Sequence, residues 1–329
     1  MTRTAALLLE RDLTMSVGER HLAAPGPDEA LLRVEWAGLC GSDLHVMRTG
    51  DWVVEWPATL GHEIFGRVEQ APAGSAIAPG TPVVADSRIP CGQCAACTAR
   101  DTDACADIAF VGEARPGGFA AHCVLPLALL HPVPETLEGS RAVLAEPLAV
   151  VLHALSQLDG EPARAAVLGH GPIGALVQVE LRRRFPSCEV HVAEPALLRA
   201  SLARALGAEC ASSSQDLPGA AFDVVIDAAG YPRSLADAIA LCRPGAQVVL
   251  LALSGREVPV KPMEIVEKRL RITGSNAFRG ELDDAIALLA AEGWRYEAVV
   301  TDAIELDELP DTARRQLQEP DAVKVLVRP

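Results

Sequence analysis

The chain has 329 residues, half of them apolar and 22% charged, which is enough for two domains and a sizeable buried core. Only 4% of residues are aromatic, so that core must rest mainly on Ala, Val and Leu in an ordinary globular protein. A formal net charge of −15 argues against nucleic acid or an anionic membrane as a partner, because both demand a basic face.

The opening apolar run Ala5-Ala6-Leu7-Leu8-Leu9 is stopped by Glu10, Arg11 and Asp12, so neither a secretory leader nor a membrane span is expected. Nine cysteines without an export signal suggest metal ligands and buried thiols rather than disulfides, and a reducing cytoplasm as the compartment. Residues 1–149 read as a β-rich domain: short apolar runs at 31–36, 65–69, 81–85 and 119–125 are separated by Gly and Pro. The pattern turns helical over 142–158. A buried strand at 165–168 then leads through a glycine turn into an amphipathic helix reaching about 185. A strand at 189–193, a helix at 196–206, a strand at 224–227 and a helix at 234–242 follow. The turn Arg243-Pro244-Gly245 opens a strand at 247–253, and 269–273 is the last strand of this series. Strands alternating with helices imply parallel βαβ units, a doubly wound sheet over 150–274. Residues 275–329 hold a helix at about 282–291 and a terminal strand at 323–327. The fold class is therefore α/β, a β-rich domain followed by a doubly wound one.

Four cysteines, Cys91, Cys94, Cys97 and Cys105, stand as C-x2-C-x2-C-x7-C in a Pro/Gly-punctuated lobe at about 88–108. Such short gaps let one loop bring four thiolates to a tetrahedral zinc, and with every position filled that zinc is structural. A catalytic zinc keeps one position open. Cys40, in Gly38-Leu39-Cys40-Gly41-Ser42-Asp43-Leu44-His45, and His62, in Gly61-His62-Glu63, suit such a site once a carboxylate joins them. Two acids compete for the third place. Glu63 adjoins His62, and Glu146 lies in the apolar stretch Leu144-Ala145-Glu146-Pro147-Leu148, where an acid needs a partner.

Gly169, Gly171 and Gly174 form G-x-G-x-x-G between a strand and a helix, the context in which the motif binds a dinucleotide. Gly169 permits the tight turn, Gly171 the approach of pyrophosphate, and Gly174 the packing of helix on strand. Pro172 and Ile173 open the helix, whose N-terminus faces the phosphates. Glu194 falls about 20 residues on, where an acid accepts from the adenosine ribose and repels a 2′-phosphate. NAD is favoured, while Arg199 close by leaves NADP open.

In sequence order these motifs resemble the zinc-containing medium-chain dehydrogenase/reductase superfamily, over essentially the whole chain. The resemblance implies a GroES-like catalytic domain (1–149), a Rossmann domain (150–274), and a C-terminal segment (275–329) returning to the catalytic domain. It also implies an active cleft between the domains. Glu146-Pro147-Leu148 is similar to the sorbitol/polyol and threonine dehydrogenase branches. Two zinc ions per chain are implied: Cys40 and His62 with Glu63 or Glu146, the two acids exchanging as water enters, and the four-cysteine site. By the same resemblance Ser42 bonds the substrate oxygen, His45 belongs to a proton relay and Asp43 supports the shell. Glu194 stands where Asp is more common.

The activity expected is reversible hydride transfer between a secondary alcohol (polyol, sugar or aminocyclitol) and NAD. Alternatives are a threonine-type 3-hydroxy amino acid dehydrogenase and an NADPH-dependent reductase of a biosynthetic ketone. A zinc hydrolase with Glu63 as base, or a non-catalytic NAD-binding protein, fits the motifs less well. Arg48, Trp52, Trp56 and Phe119 are candidate pocket walls. A homo-oligomer, dimer or tetramer, is the expected assembly.

Overall fold

Antiparallel pairing organises the first part of the computed structural model, which describes residues 2–255 and 257–329. The contacts of the chain form two units. The first comprises Met1–Glu146, Arg279–Pro320 and Lys324–Pro329, the second Pro147–Phe278 and Asp321–Val323.

In the first unit a seven-stranded sheet runs in the order Val300–Glu305, Lys324–Arg328, Glu29–Leu39, Glu63–Gln70, Pro82–Ala85, Leu130–Pro132, with His122–Pro126 also pairing with Glu29–Leu39. The long central strand forms because Ala30, Leu31, Leu32, Val34, Ala37 and Leu39 all bury their side chains. Its end is paired on both sides: Gly38 stands opposite Leu326 on one neighbour and Glu63 on the other. The strand expected from 119 starts only at His122, because Gly117, Gly118 and Phe119 give their N–H groups to Thr59, Gly61 and Leu60 instead. Helix Leu309–Gln318 escaped the sequence reading since Thr312 and Gln316 share its buried face with Leu309 and Ala313 and blur the apolar stripe.

The second unit holds a six-stranded parallel sheet ordered Glu209–Ala211, Glu189–Ala193, Arg164–Leu168, Phe222–Asp227, Cys242–Leu250, Arg271–Gly274. In chain order that is 3-2-1-4-5-6, the doubly wound arrangement of dinucleotide-binding sheets. Its core packs Ala166, Leu168, Phe222, Val225, Ala238, Leu241 and Val248. One strand begins earlier than expected: Cys242 already pairs with Phe222, and the register shifts before Val224 meets Gln247. Gly245, at φ +82°, absorbs that irregularity where a plain turn was expected. Helix Pro262–Lys268 was not anticipated because it buries no residue and so carries no stripe to read. Among the described residues no helix is long and apolar enough to cross a membrane.

Candidate functional site

The site grows from the end of the central strand. Beyond Leu39 the chain turns at Cys40, whose extended backbone (φ −98°, ψ 160°) caps helix Gly41–Thr49. Asp43, in the first turn, accepts the Cys40 N–H at 2.9 Å and the Gly61 N–H at 3.1 Å, and faces His62 Nδ1 at 3.5 Å. One buried carboxylate thereby ties two distant segments together and orients the imidazole, leaving Nε2 for a metal. Gly61 makes the approach with φ +91°, and a Cβ there would lie 2.9 Å from the Phe119 ring and backbone.

One donor atom each from Cys40, His62 and Glu63 lies within 4.8 Å of the others, a set that could hold a metal and leave a position open. Burial opposes a charged His62, yet Asp43 and Cys40 outweigh it and hold its pKa well above the usual value.

Glu63 is wholly buried, and its carboxylate fills the space a Cβ on Gly38 would take: such an atom would lie 1.8 Å from Oε2. Lys324, equally buried, donates through Nζ to Oε1 at 2.6 Å, to Oε2 at 2.7 Å and to Leu39 O at 3.3 Å. Sequence reasoning missed Lys324. Its signal is a lysine inside the apolar run Ala322 to Val327, the same kind of anomaly that drew attention to Glu146. Glu146 stays outside the converging donor set and accepts from Ser87 Oγ at 2.6 Å. Burial pushes its pKa up to about 7, His62 acting against that rise and Glu63 adding to it.

Ser42 is half-buried, and among the described residues its hydroxyl has no protein partner. His45 lies one helical turn on, stacked on Trp52 with ring centroids 4.7 Å apart and with Nε2 3.0 Å from Asp51 Oδ2. Asp51 is a further residue the sequence reading did not single out. Of the candidate pocket walls, Trp52 is exposed, Trp56 half-buried and Arg48 exposed, but Phe119 is fully buried against Gly61 and cannot line an open pocket.

Cys91, Cys94, Cys97 and Cys105 present four sulfurs within 4.8 Å of one another, with 4.0 Å between the Cys91 and Cys97 sulfurs and between those of Cys94 and Cys105. Four thiolates about 2.3 Å from a tetrahedral ion stand about 3.8 Å apart, so the quartet fits zinc almost without adjustment. The Cys97 and Ala106 N–H groups hold the Cys94 thiol down to about 6, ready to ligate as thiolate.

In the second unit Gly169 (φ +85°) makes the turn after the first strand, and a Cβ on Gly174 would lie 2.1 Å from Gly169 O. Gly171 caps helix Pro172–Arg184, with Pro172 in its first turn; the first helical bond comes from Ala175 N–H to Gly171 O at 2.9 Å, so the N–H groups of Ile173 and Gly174 stay free for phosphate. Glu194, 5% exposed, accepts the His170 N–H at 2.7 Å and the Ala196 N–H at 2.8 Å. Arg199 donates Nε–H to Ala322 O, and its Nη1 lies 3.7 Å from where a Gly171 Cβ would be. His170, buried inside the loop, engages Gln178 Oε1 at 2.6 Å. Since the Gln178 amide donates to Ala203 O, His170 Nε2 is the donor, and its Nδ1 has no partner among the described residues.

Residues 26–135 match the family model of the alcohol dehydrogenase GroES-like domain, and residues 186–291 that of zinc-binding dehydrogenases. D-altritol 5-dehydrogenase of Agrobacterium fabrum is 30% identical over 322 residues, 94% of this chain and 95% of that one. An NADP-bound zinc-binding dehydrogenase of Sinorhizobium meliloti 1021 superposes with a TM-score of 0.89 at 30% identity, covering 100% of both chains. The NADH complex of RspB from Escherichia coli CFT073 gives 0.88 at 26% identity, again over 100% of each. The chain belongs to the zinc-containing medium-chain dehydrogenase/reductase family, as an oxidoreductase of the alcohol dehydrogenase type.

Proposed function

We propose that the protein oxidises a secondary alcohol of the polyol or sugar type to its ketone, reversibly, with NAD as the preferred acceptor. The observation that carries this reading is the convergence of Cys40, His62 and Glu63 beside a Ser42 hydroxyl with no protein partner. Cys40, His62 and Glu63 would hold a zinc ion, which would supply a Lewis acid for the substrate oxygen, and NAD bound at the glycine turn would supply the hydride acceptor. Ser42 accepts the hydroxyl proton at Oγ while passing its own towards His45, which discharges through Asp51 to solvent. Asp43 keeps the His62 ring in one tautomer, and Lys324 neutralises Glu63. The balance is one alcohol and NAD⁺ giving one ketone, NADH and one proton.

NAD is preferred because the buried Glu194 carboxylate repels a 2′-phosphate at the ribose corner. The altritol relative supports a polyol substrate. The nine free cysteines fit a reducing cytoplasm, and a homo-oligomer is the assembly we expect. The test pairs a zinc count with NAD and NADP reduction over a panel of sugar alcohols and threonine. Two zinc ions and polyol-dependent NADH formation support the reading; oxidation of threonine alone would displace it. Ser42→Ala should lower kcat by about 10²-fold or more while zinc and NAD stay bound, the range typical of removing a positioned proton-transfer group. Unchanged turnover would remove Ser42 from the relay.

A further inference from the structure

Among the described residues, three acids around the open metal set are engaged. Asp43 holds two backbone N–H groups and His62, Glu63 holds Lys324, and Glu146 holds Ser87. Glu113 is half-buried, and among the described residues its carboxylate has no hydrogen-bond or ion-pair partner. Its place is fixed by backbone. The Glu113 N–H donates to Phe110 O at 3.2 Å, the Gly112 N–H to Arg115 O at 2.8 Å, and Glu113 O accepts Val54 N–H at 3.1 Å. This turn lies directly on the segment that delivers His62: a Cβ on Gly112 would be 3.1 Å from Gly61 N, and one on Gly117 would be 2.2 Å from Gly61 O. The Glu113 backbone is consequently tied to the loop carrying Trp52 and Val54, in the turn that packs on Gly61 next to His62. The cation nearest in sequence, Arg115, is engaged elsewhere, at 2.8 Å to Glu29 Oε1 and 2.7 Å to Val124 O.

Burial pushes the Glu113 carboxyl up to about 7; His62 counteracts that rise, and Asp43 adds to it. His62 and Asp43 therefore both act on this carboxyl from the neighbouring segments. A carboxylate kept in such a place without a cation is unfavourable until something supplies one. A substrate bearing carboxylate or phosphate would be repelled by Glu113, whereas an ammonium would give it the cation it lacks.

We propose that Glu113 is a specificity-determining residue of the alcohol site and selects substrates that carry an ammonium group beside the reacting polyol, amino-substituted sugar alcohols or cyclitols. The inference rests on the dehydrogenase reading above and names its substrate class. Three probes share one carbon skeleton and differ only at C1: glucamine (ammonium), sorbitol (hydroxyl) and gluconate (carboxylate). The readout is the ratio of kcat/KM for glucamine to that for sorbitol, taken within each protein, so that general damage cancels. The zinc-loaded wild type should favour glucamine and reject gluconate. In Glu113→Gln the ratio should fall about tenfold or more, the size of a lost charge-assisted hydrogen bond, and Glu113→Ala should do the same. A second readout avoids turnover: glucamine should raise the Tm of the wild-type NAD complex more than sorbitol does, and that difference should vanish in Glu113→Gln. Oxidation of sorbitol with the same ratio in wild type and both variants would overturn the assignment of Glu113 alone. No oxidation of any probe with NAD or NADP would overturn the polyol reading and this one with it.

Discussion

Replacing Lys324 with methionine would strand the Glu63 carboxylate. Both side chains are 0% exposed, the ammonium lies 2.6 and 2.7 Å from the two carboxylate oxygens, and Leu39 O supplies a further acceptor. Burial alone pulls the lysine pKa down, but Glu63 first, then Cys40 and Glu146, outweigh it and leave it above the usual range. Removing one partner of a buried pair costs about 3–5 kcal/mol, because the remaining charge keeps its full desolvation penalty. At roughly 2–4 °C per kcal/mol for a unit of this size, Tm should fall by about 6–20 °C. The loss should be greatest in zinc-free protein and smaller once zinc is loaded, since a cation beside Glu63 replaces part of what the lysine provided. Adding Glu63→Gln to the methionine variant removes the orphaned charge and should recover most of the zinc-free loss, giving a coupling energy of the same sign. Thermal melts of the four proteins, each with and without zinc, decide the matter. If Lys324→Met melted within about 2 °C of wild type without zinc, and Glu63→Gln recovered nothing, the reasoning about a buried ion pair would be wrong.

Gly38→Ala should empty the open metal site, since the added Cβ would sit 1.8 Å from Glu63 Oε2; metal analysis should then find one zinc per chain, still held by the cysteine lobe. Cys97→Ser should give the complementary count, losing the lobe zinc while Cys40 and His62 keep theirs, and an unchanged count of two in either variant would contradict the site it probes. For His170, burial lowers the folded-state pKa, with Gln178, Glu194 and the Arg199 backbone working against that shift and the Arg199 guanidinium with it. The folded chain therefore binds fewer protons than the unfolded one. The stability involved is complete above the unfolded value of about 6.5 and is lost as pH falls from there through the folded pKa. His170→Ala should accordingly lose less Tm than wild type between pH 7.5 and 5.5 (roughly the span around that unfolded value), and parallel slopes would show that another group titrates.

What could be read from the sequence is what the chain accomplishes locally. The cysteine lobe spans only Cys91 to Cys105, and the glycine turn lies between one strand and the helix it starts, so spacing alone carried the chemistry. Cys40 and His62 could be paired from their neighbours, because Asp43 and Gly61 are the residues that in fact bind the two segments together. Lys324 could not be paired in this way, as 261 positions separate it from Glu63. Only the pairing of Lys324–Arg328 with Glu29–Leu39, and of that strand with Glu63–Gln70, brings the two together.

The same topology explains why the two candidate acids could not be ranked beforehand. Glu63 and Glu146 are both carboxylates in apolar surroundings, and nothing in spacing distinguishes them. The sheet does, by giving the wholly buried Glu63 an ammonium on one side and a glycine on the other. Glu146 receives only a hydroxyl, and burial pushes its carboxyl up to about 7. An acid that keeps its charge is the better zinc ligand, because the ligating form is the carboxylate. The register that places Gly38 opposite Glu63 therefore brings Glu63, and not Glu146, within 4.8 Å of the Cys40 and His62 donor atoms, and that register is a property of three strands together rather than of any motif.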